Sequence, residues 1–190
     1  YIMQGARLIT KNEIKTLLQT ENQRDKMLVL VGLYFGTRIS ETVKLTFGDF
    51  NGKYVKIKSV KKSNDRTLEI PAEFKIELDK LKDYYISIDC PITDDTPLFL
   101  SREKDKQGNC KPISKEHACA IIKRLRERYG LDERVSAHSF RKNFTTKIHE
   151  LTQNNLVQTA VYTGHKSVDS LQAYIESTQE TNLTNELNWI

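Results

Sequence analysis

His138-Ser-Phe-Arg141 sets an imidazole beside a guanidinium, and Gly164-His165 and Tyr174 follow within 37 residues of sequence. These groups suit gripping a phosphodiester and attacking its phosphorus. A guanidinium offers phosphate oxygens a rigid fork of donors. An imidazole exchanges protons near neutrality, and a phenol is a latent nucleophile. Residues three apart in a helix lie about 60° apart on one face, so His138 and Arg141 can meet one ligand while Phe140 and Phe144 point elsewhere. A glycine such as Gly164 often ends a helix in the left-handed conformation, and the next side chain then leaves in a fixed direction. Upstream, Arg38 follows helix-breaking Gly36 and precedes Glu41 on the same helical face, a spacing that also fits a local ion pair. Lys61 and Lys62 stand at the tip of an expected hairpin.

Those side chains need a frame. Thr10-Lys-Asn-Glu13 reads as a capping box opening a helix with Ile14, Leu17 and Leu18. Residues 23–35 carry Met27, Leu28, Leu30, Val31, Leu33, Tyr34 and Phe35, apolar on most sides, and predict a central buried helix. Arg38 to Glu41 begins a short helix that ends near Gly48. Then the period changes. Tyr54, Lys56 and Lys58 alternate with Val55, Ile57 and Ser59, and after Ser63-Asn64-Asp65 comes Thr67-Leu-Glu-Ile70, so a β-hairpin is expected, closed by Pro71.

Phe74, Leu78, Leu81 and Tyr85 follow helical spacing, Pro97-Leu-Phe-Leu suggests a short strand, and 101–112 reads as a charged loop. Ser114 caps a helix bearing Ala118, Ile121, Ile122, Leu125 and Tyr129, stopped by Gly130. Phe140, Phe144, Ile148 and Leu151 mark another, and Leu156, Ala160 and Val161 a shorter one ending at Thr163-Gly164. The expected fold class is α+β, mainly α with a small antiparallel β-hairpin. Residues 1–9 read as a tail or linker end, 10–178 as one domain, and 179–190 as a C-terminal segment. There Leu183, Leu187 and Ile190, with Trp189, suit a short amphipathic helix.

A chain of 190 residues can bury a real core without disulfide help. Its three cysteines are irregularly spaced with no CxxC pair, which argues against a disulfide framework or a structural zinc site and favours a reducing, cytoplasmic setting. No apolar run approaches the roughly 20 residues of a membrane span, and the N-terminus lacks a signal-peptide layout. Lys and Arg exceed Asp and Glu by five, compatible with a polyanionic partner.

In order and spacing, Gly36-Thr-Arg38-Ile-Ser-Glu41, the hairpin lysine, His138-Ser-Phe-Arg141, Thr163-Gly-His165 and Tyr174 resemble the catalytic domain of the tyrosine recombinases, the phage integrase family. The resemblance runs from about residue 8 to residue 178. It implies that Arg38 and Arg141 are the two catalytic arginines and His138 the histidine of the HxxR motif. It makes His165 the second histidine, Tyr174 the nucleophile and Glu41 the supporting acid, with Lys61 or, for a longer turn, Lys62 as the catalytic lysine. Ser139-Phe140, Lys142-Asn143 and Thr163 depart from the commoner Asp-Leu, His-Thr and Leu, and remove no catalytic group.

The resemblance further implies cleavage and rejoining of double-stranded DNA at a specific site, through a 3′-phosphotyrosyl intermediate, with no metal, cofactor or ATP. It also implies a homotetramer on DNA, in which the C-terminal segment docks on a neighbouring protomer or on its own domain, and neither a membrane nor a small-molecule substrate. Lys56, Lys58, Lys62, Arg102, Lys104 and Lys111 are the further candidates for phosphate contacts. Family members usually carry an N-terminal core-binding domain, so a fragment is expected. Integration, excision and dimer resolution all stay open. Two other readings use the same scaffold: a type-IB topoisomerase, disfavoured by histidine rather than lysine at 138, and a non-catalytic DNA-binding protein.

Overall fold

In the computed structural model, which describes residues 5–60 and 64–176, eight helices and two small hairpins surround one apolar core. Helix α1 (Lys11–Leu17) opens with the capping box: Thr10 Oγ1 accepts the Glu13 N–H (3.2 Å) and Glu13 Oε2 accepts the Thr10 N–H (2.9 Å). The residues just before it lie against the domain. Ile9 joins the core and exchanges hydrogen bonds with Asn143, while Arg7 bridges Glu13 and Asp132.

Helix α2 (Gln23–Phe35) is the central element that its all-round apolar pattern predicts, with Met27 to Val31 and Phe35 buried. Phe35 meets Phe74 edge-on at 4.8 Å, and Phe50 stacks on Phe74 at 5.2 Å. Each such buried ring stabilises the fold by about 1.5–3 kcal/mol relative to an exposed one. Gly36 ends α2 at φ +55°, and a Cβ there would strike the Phe144 ring, so both backbone and packing require glycine. This close approach brings α6 (Ala137–Leu151) against the end of α2.

After α3 (Ile39–Thr42) and a 3₁₀ turn at Gly48–Phe50, β1 (Tyr54–Ile57) pairs antiparallel with β2 (Arg66–Glu69), Ile57 opposite Arg66. The buried face carries Val55, Ile57, Arg66 and Leu68. Helix α4 (Ala72–Ser87) follows Pro71 and buries Phe74, Leu78, Leu81 and Tyr85 as its spacing predicts.

The charged stretch 101–112 departs from expectation. It is no loop but mostly a second hairpin, β3 (Leu100–Lys104) paired with β4 (Cys110–Pro112), turning at Asp105–Gly108. Its charges are solvated on a strand whose start is pinned from within: the Tyr85 hydroxyl bridges Leu98 O and Leu100 N–H. Of the expected strand at 97–100, Pro97 makes an isolated bridge with Thr46 and Leu100 opens β3.

The cysteine reading is likewise corrected, because Cys90 and Cys110 form a disulfide and only Cys119 is free. Spacing could not show this. Tyr85 holds the start of β3 beside the turn after α4, and β4 then folds back along β3 to meet Cys90.

Helix α5 (Lys115–Arg128), capped by Ser114, packs Ala118, Ile121, Ile122 and Leu125 inward. Helices α6, α7 (Leu156–Thr163) and α8 (Val168–Glu176) complete the domain. Leu151 and Val161 mark these helices in sequence but face solvent, 67% and 69% exposed, so helical spacing there identifies the element and not its buried face. No described helix is long and apolar enough to cross a membrane. Residues 179–190 fall outside the described residues.

Candidate active site

Two left-handed glycine turns organise the site. Gly36, ending α2, leads within two residues to Arg38, the N-cap of α3. Gly164, ending α7 at φ +71°, leads directly to His165. A Cβ on Gly164 would lie 2.8 Å from Asn64 O, whose residue in turn donates its N–H to Gly164 O (2.9 Å). The α7 turn is thereby fastened to the hairpin.

Helix α6 supplies His138 in its first turn and Arg141 one turn on. Arg141 is no surface arginine. Buried to 3% exposure, it donates Nη1 to Gly36 O and Nη2 to Thr163 O (2.8 Å), joining the two glycine turns. Burial, then the Arg38 and Arg66 charges, lower its pKa to about 10, so it stays cationic at neutral pH.

Glu41 is the buried carboxylate of the group. It accepts the Arg38 N–H (2.9 Å), pairs with the Arg38 guanidinium (3.3 Å) and pairs with Arg66 Nη2 (3.1 Å). Burial alone would raise its pKa. The Arg66 charge, the Arg38 N–H and the Arg141 charge hold it below the usual carboxylate range.

Arg66 is not among the residues the sequence singles out. Arg66 is 4% exposed, donates Nη2 to Phe35 O, Gly36 O and Glu41, and places Nη1 against Gly164. Its Nε and Nη1 have no hydrogen-bond partner among the described residues. The available signal was strand alternation, which puts Arg66 on the same face as Leu68. An arginine at an inward strand position needs a partner.

The remaining groups line the same concavity. Solvent reaches His138, yet desolvation by its neighbours and the charges of Arg141, Arg38, Lys115 and Lys142 hold its pKa below 6.5. His165 is lowered further, to about 4, by burial and then by Arg141, Arg38 and Arg66. Tyr174, on α8, has its ring 5.5 Å from that of His165, with Lys142 Nζ over its face at 5.8 Å. Burial raises the Tyr174 phenol to about 12, against the opposing pull of Arg141 and Arg38 and its contact with Thr145.

Five of the six residues expected to be catalytic, Arg38, His138, Arg141, His165 and Tyr174, therefore share one electrostatic neighbourhood, with Glu41 beneath. Lys61 and Lys62 lie outside the described residues. Arg38 and Arg66 share the Glu41 carboxylate and Arg141 adds a third guanidinium, a concentration of positive charge that suits a phosphodiester gaining charge at its transition state. Arg38 and His138 also open onto a groove of about 330 Å³ walled by Lys115, Lys123 and Arg126 of α5.

The DNA-binding candidates divide. Lys56 and Lys58 are exposed and, with Lys44, line a groove of about 620 Å³ that reaches Glu41. Lys104 is exposed on β3, and Lys111 is paired with Glu103 (3.1 Å) across the second hairpin. No hydrogen bond or ion pair links either to the site among the described residues. The Arg102 side chain lies outside what is described.

Residues 7–181 match the phage integrase family. The chain belongs to that family. It is 29% identical over 178 residues to the tyrosine recombinase XerA of Pyrococcus furiosus, covering 90% of this chain and 57% of the relative. To the tyrosine recombinase XerC of Rickettsia bellii it is 30% identical over 155 residues, 81% of this chain and 47% of that one. The chain thus spans about half the length of the curated relatives it matches.

The fold superposes on a crystal structure of XerA recombinase with a TM-score of 0.73 at 22% identity, covering 96% of this chain and 64% of that one. It also matches a lambda integrase dimer bound to a COC′ core site, TM-score 0.67 at 17% identity, covering 93% and 49%. The mainly α tyrosine recombinase catalytic fold with small antiparallel sheets, expected from the motifs, is what the integrase-family chain adopts.

Proposed function

We propose that this chain is the catalytic domain of a site-specific DNA recombinase that cleaves and rejoins strands through Tyr174. The observation that carries the reading is the convergence of Arg38, Arg141, His138, His165 and Tyr174 from three helices and one turn onto a single cationic concavity. The names of its relatives, all recombinases or integrases, and the DNA-bound state of several structural neighbours support it.

Arg38 and Arg141 grip the non-bridging oxygens of the scissile phosphate, Arg141 already aimed by its two carbonyl ligands. The Tyr174 oxygen forms a bond to phosphorus as the bond to the 5′-oxygen breaks, leaving a 3′-phosphotyrosine. A phenol with a pKa near 12 does not ionise unaided at neutral pH. Two things help. A phosphate seated between the arginines draws the hydroxyl into the reaction, and neutral His138 is available to take the proton.

The hairpin lysine, Lys61 or Lys62, protonates the departing 5′-oxygen. The phosphotyrosyl ester retains the energy of the diester, so attack by a new 5′-hydroxyl reseals the strand without ATP. The two guanidiniums supply the charge stabilisation this transfer needs. Assembly of four subunits on double-stranded DNA in the cytoplasm completes the reading, with Lys56 and Lys58 among the phosphate contacts.

Covalent capture tests it. Incubated with a pool of nicked duplexes of randomised sequence, the chain is expected to form a denaturation-resistant adduct mapping to Tyr174. Tyr174→Phe should abolish the adduct and retain DNA binding. A phenylalanine variant that still formed it would sink the assignment.

A further inference from the structure

Thr163 is fully buried, and its position is set twice over. Its carbonyl accepts Arg141 Nη2 at 2.8 Å, and its hydroxyl lies 2.8 Å from Thr159 O and 2.6 Å from His165 Nδ1. A hydroxyl has one proton and two lone pairs. Thr159 O is an acceptor only, so a proton must stand between it and Thr163 Oγ1, or two oxygen lone pairs would face each other at 2.8 Å. With that proton committed, Oγ1 can only accept from His165, and Nδ1 must carry a hydrogen.

From this arrangement we infer that Thr163 is a positioning residue that locks His165 in the Nδ1–H tautomer and turns Nε2, unprotonated, toward the arginines and Tyr174. The inference rests on the recombinase reading for its consequence, but not for its geometry.

The consequence is a conditional hydrogen bond. In the free protein Nε2 presents a lone pair, which repels a phosphate oxygen. To donate, it must first take up a proton. The charged groups around it are Arg38 on α3, Arg66 on β2 and Arg141 on α6, with the neutral Tyr174 phenol on α8. Together with burial they keep the ring neutral while the site is empty. An arriving phosphodiester offsets those positive charges and draws the proton in. The bond then formed is charge-assisted, shorter and stronger than one from a neutral ring. His165 thus engages the phosphate only when the phosphate is there.

Long-range ¹H–¹⁵N correlation spectra of the 190-residue chain, recorded without DNA, read the tautomer directly. The wild type should show His165 protonated at Nδ1, opposite to the Nε2–H form that an isolated neutral histidine favours. Thr163→Val, which removes only the hydroxyl, should shift the ring toward Nε2–H, and Thr163→Ser should restore Nδ1–H. In single-turnover cleavage of the randomised nicked-duplex pool, Thr163→Val should slow adduct formation by roughly 10-fold, the scale of one net hydrogen bond, with Thr163→Ser close to wild type.

A wild type in the Nε2–H form overturns the inference even if the valine variant fails to fold. A valine variant that keeps Nδ1–H overturns it too. If instead the tautomer behaves as expected but no Tyr174-dependent adduct forms, the recombinase reading falls and the role of Thr163 stands.

Discussion

Arg24 and Arg66 are equally buried, each 4% exposed, and the difference between their surroundings separates structure from function in this domain. Arg24 is locally neutralised. Its guanidinium pairs with Asp25 (3.0 Å) and donates to Leu100 O (3.0 Å), fastening α2 to the start of β3. Arg66 instead shares Glu41 with Arg38, and the Arg38 and Arg66 charges both bear on Arg141. A buried charge with its own partner is a strut. A buried cluster with surplus charge of one sign costs stability and makes sense only if a ligand of the other sign arrives.

The sharpest way to break this contrast is to remove one charge from each side. Arg141→Gln is expected to slow covalent adduct formation by about 100- to 1000-fold, the usual effect of losing a preorganised donor, while changing the free energy of urea unfolding less than Asp25→Ala does. Asp25→Ala should show the reverse. It strands the Arg24 charge and costs about 3–5 kcal/mol in the same unfolding assay, with the cleavage rate of the folded protein at the wild-type value. If both variants lost rate and stability together, the division would be wrong.

The strut side holds a second fastener. Closing a loop of the Cys90–Cys110 separation, 20 residues, stabilises by about 3 kcal/mol through the unfolded chain. Thermal melts of the oxidised chain should therefore shift downward in Cys110→Ser, with cleavage rate preserved.

A milder difference is expected with pH. His165 has its pKa depressed from 6.5 to about 4 in the folded state, so between those values the unfolded chain binds more protons. Its contribution to stability is present above pH 6.5 and is lost as the pH falls towards 4. DNA binding works in the opposite direction, since a phosphate raises the pKa of both His138 and His165. Affinity for the nicked duplexes, measured at constant salt, should strengthen as pH falls from 7 toward the acid limit of stability.

The smallest effect tests the reach of the cationic surface. Lys56→Ala should lower the slope of log affinity against log salt by about 0.9, the value of one phosphate contact. Lys111→Ala, whose ammonium is already paired with Glu103, should leave it unchanged.

Arg38, His138, Arg141, His165 and Tyr174 were singled out before any fold was known by the order and spacing of motifs that are each weak alone. Gly36 and Gly164 are glycines that only left-handed turns require, and each aims the side chain that follows. Helical phase puts His138 and Arg141 on one face. Arg66 was not singled out as a site residue: strand alternation turns it inward, but nothing local says that it meets Glu41, 25 residues upstream. The second hairpin was hidden for the opposite reason. Its residues are charged and solvated, and its pairing depends on Tyr85, fifteen residues before Leu100.

By itself, then, the sequence determined the family and most of the helices, and it pointed to the five side chains that the fold brings into one neighbourhood, since these rest on short-range stereochemistry and on the order of the motifs. Only the tertiary structure decided which charges face one another. It carried Arg66 and Arg141 to the neighbourhood of Glu41 and joined Cys90 to Cys110. Those outcomes depend on distances between segments far apart in the chain, and the energy of a buried charge depends on those distances.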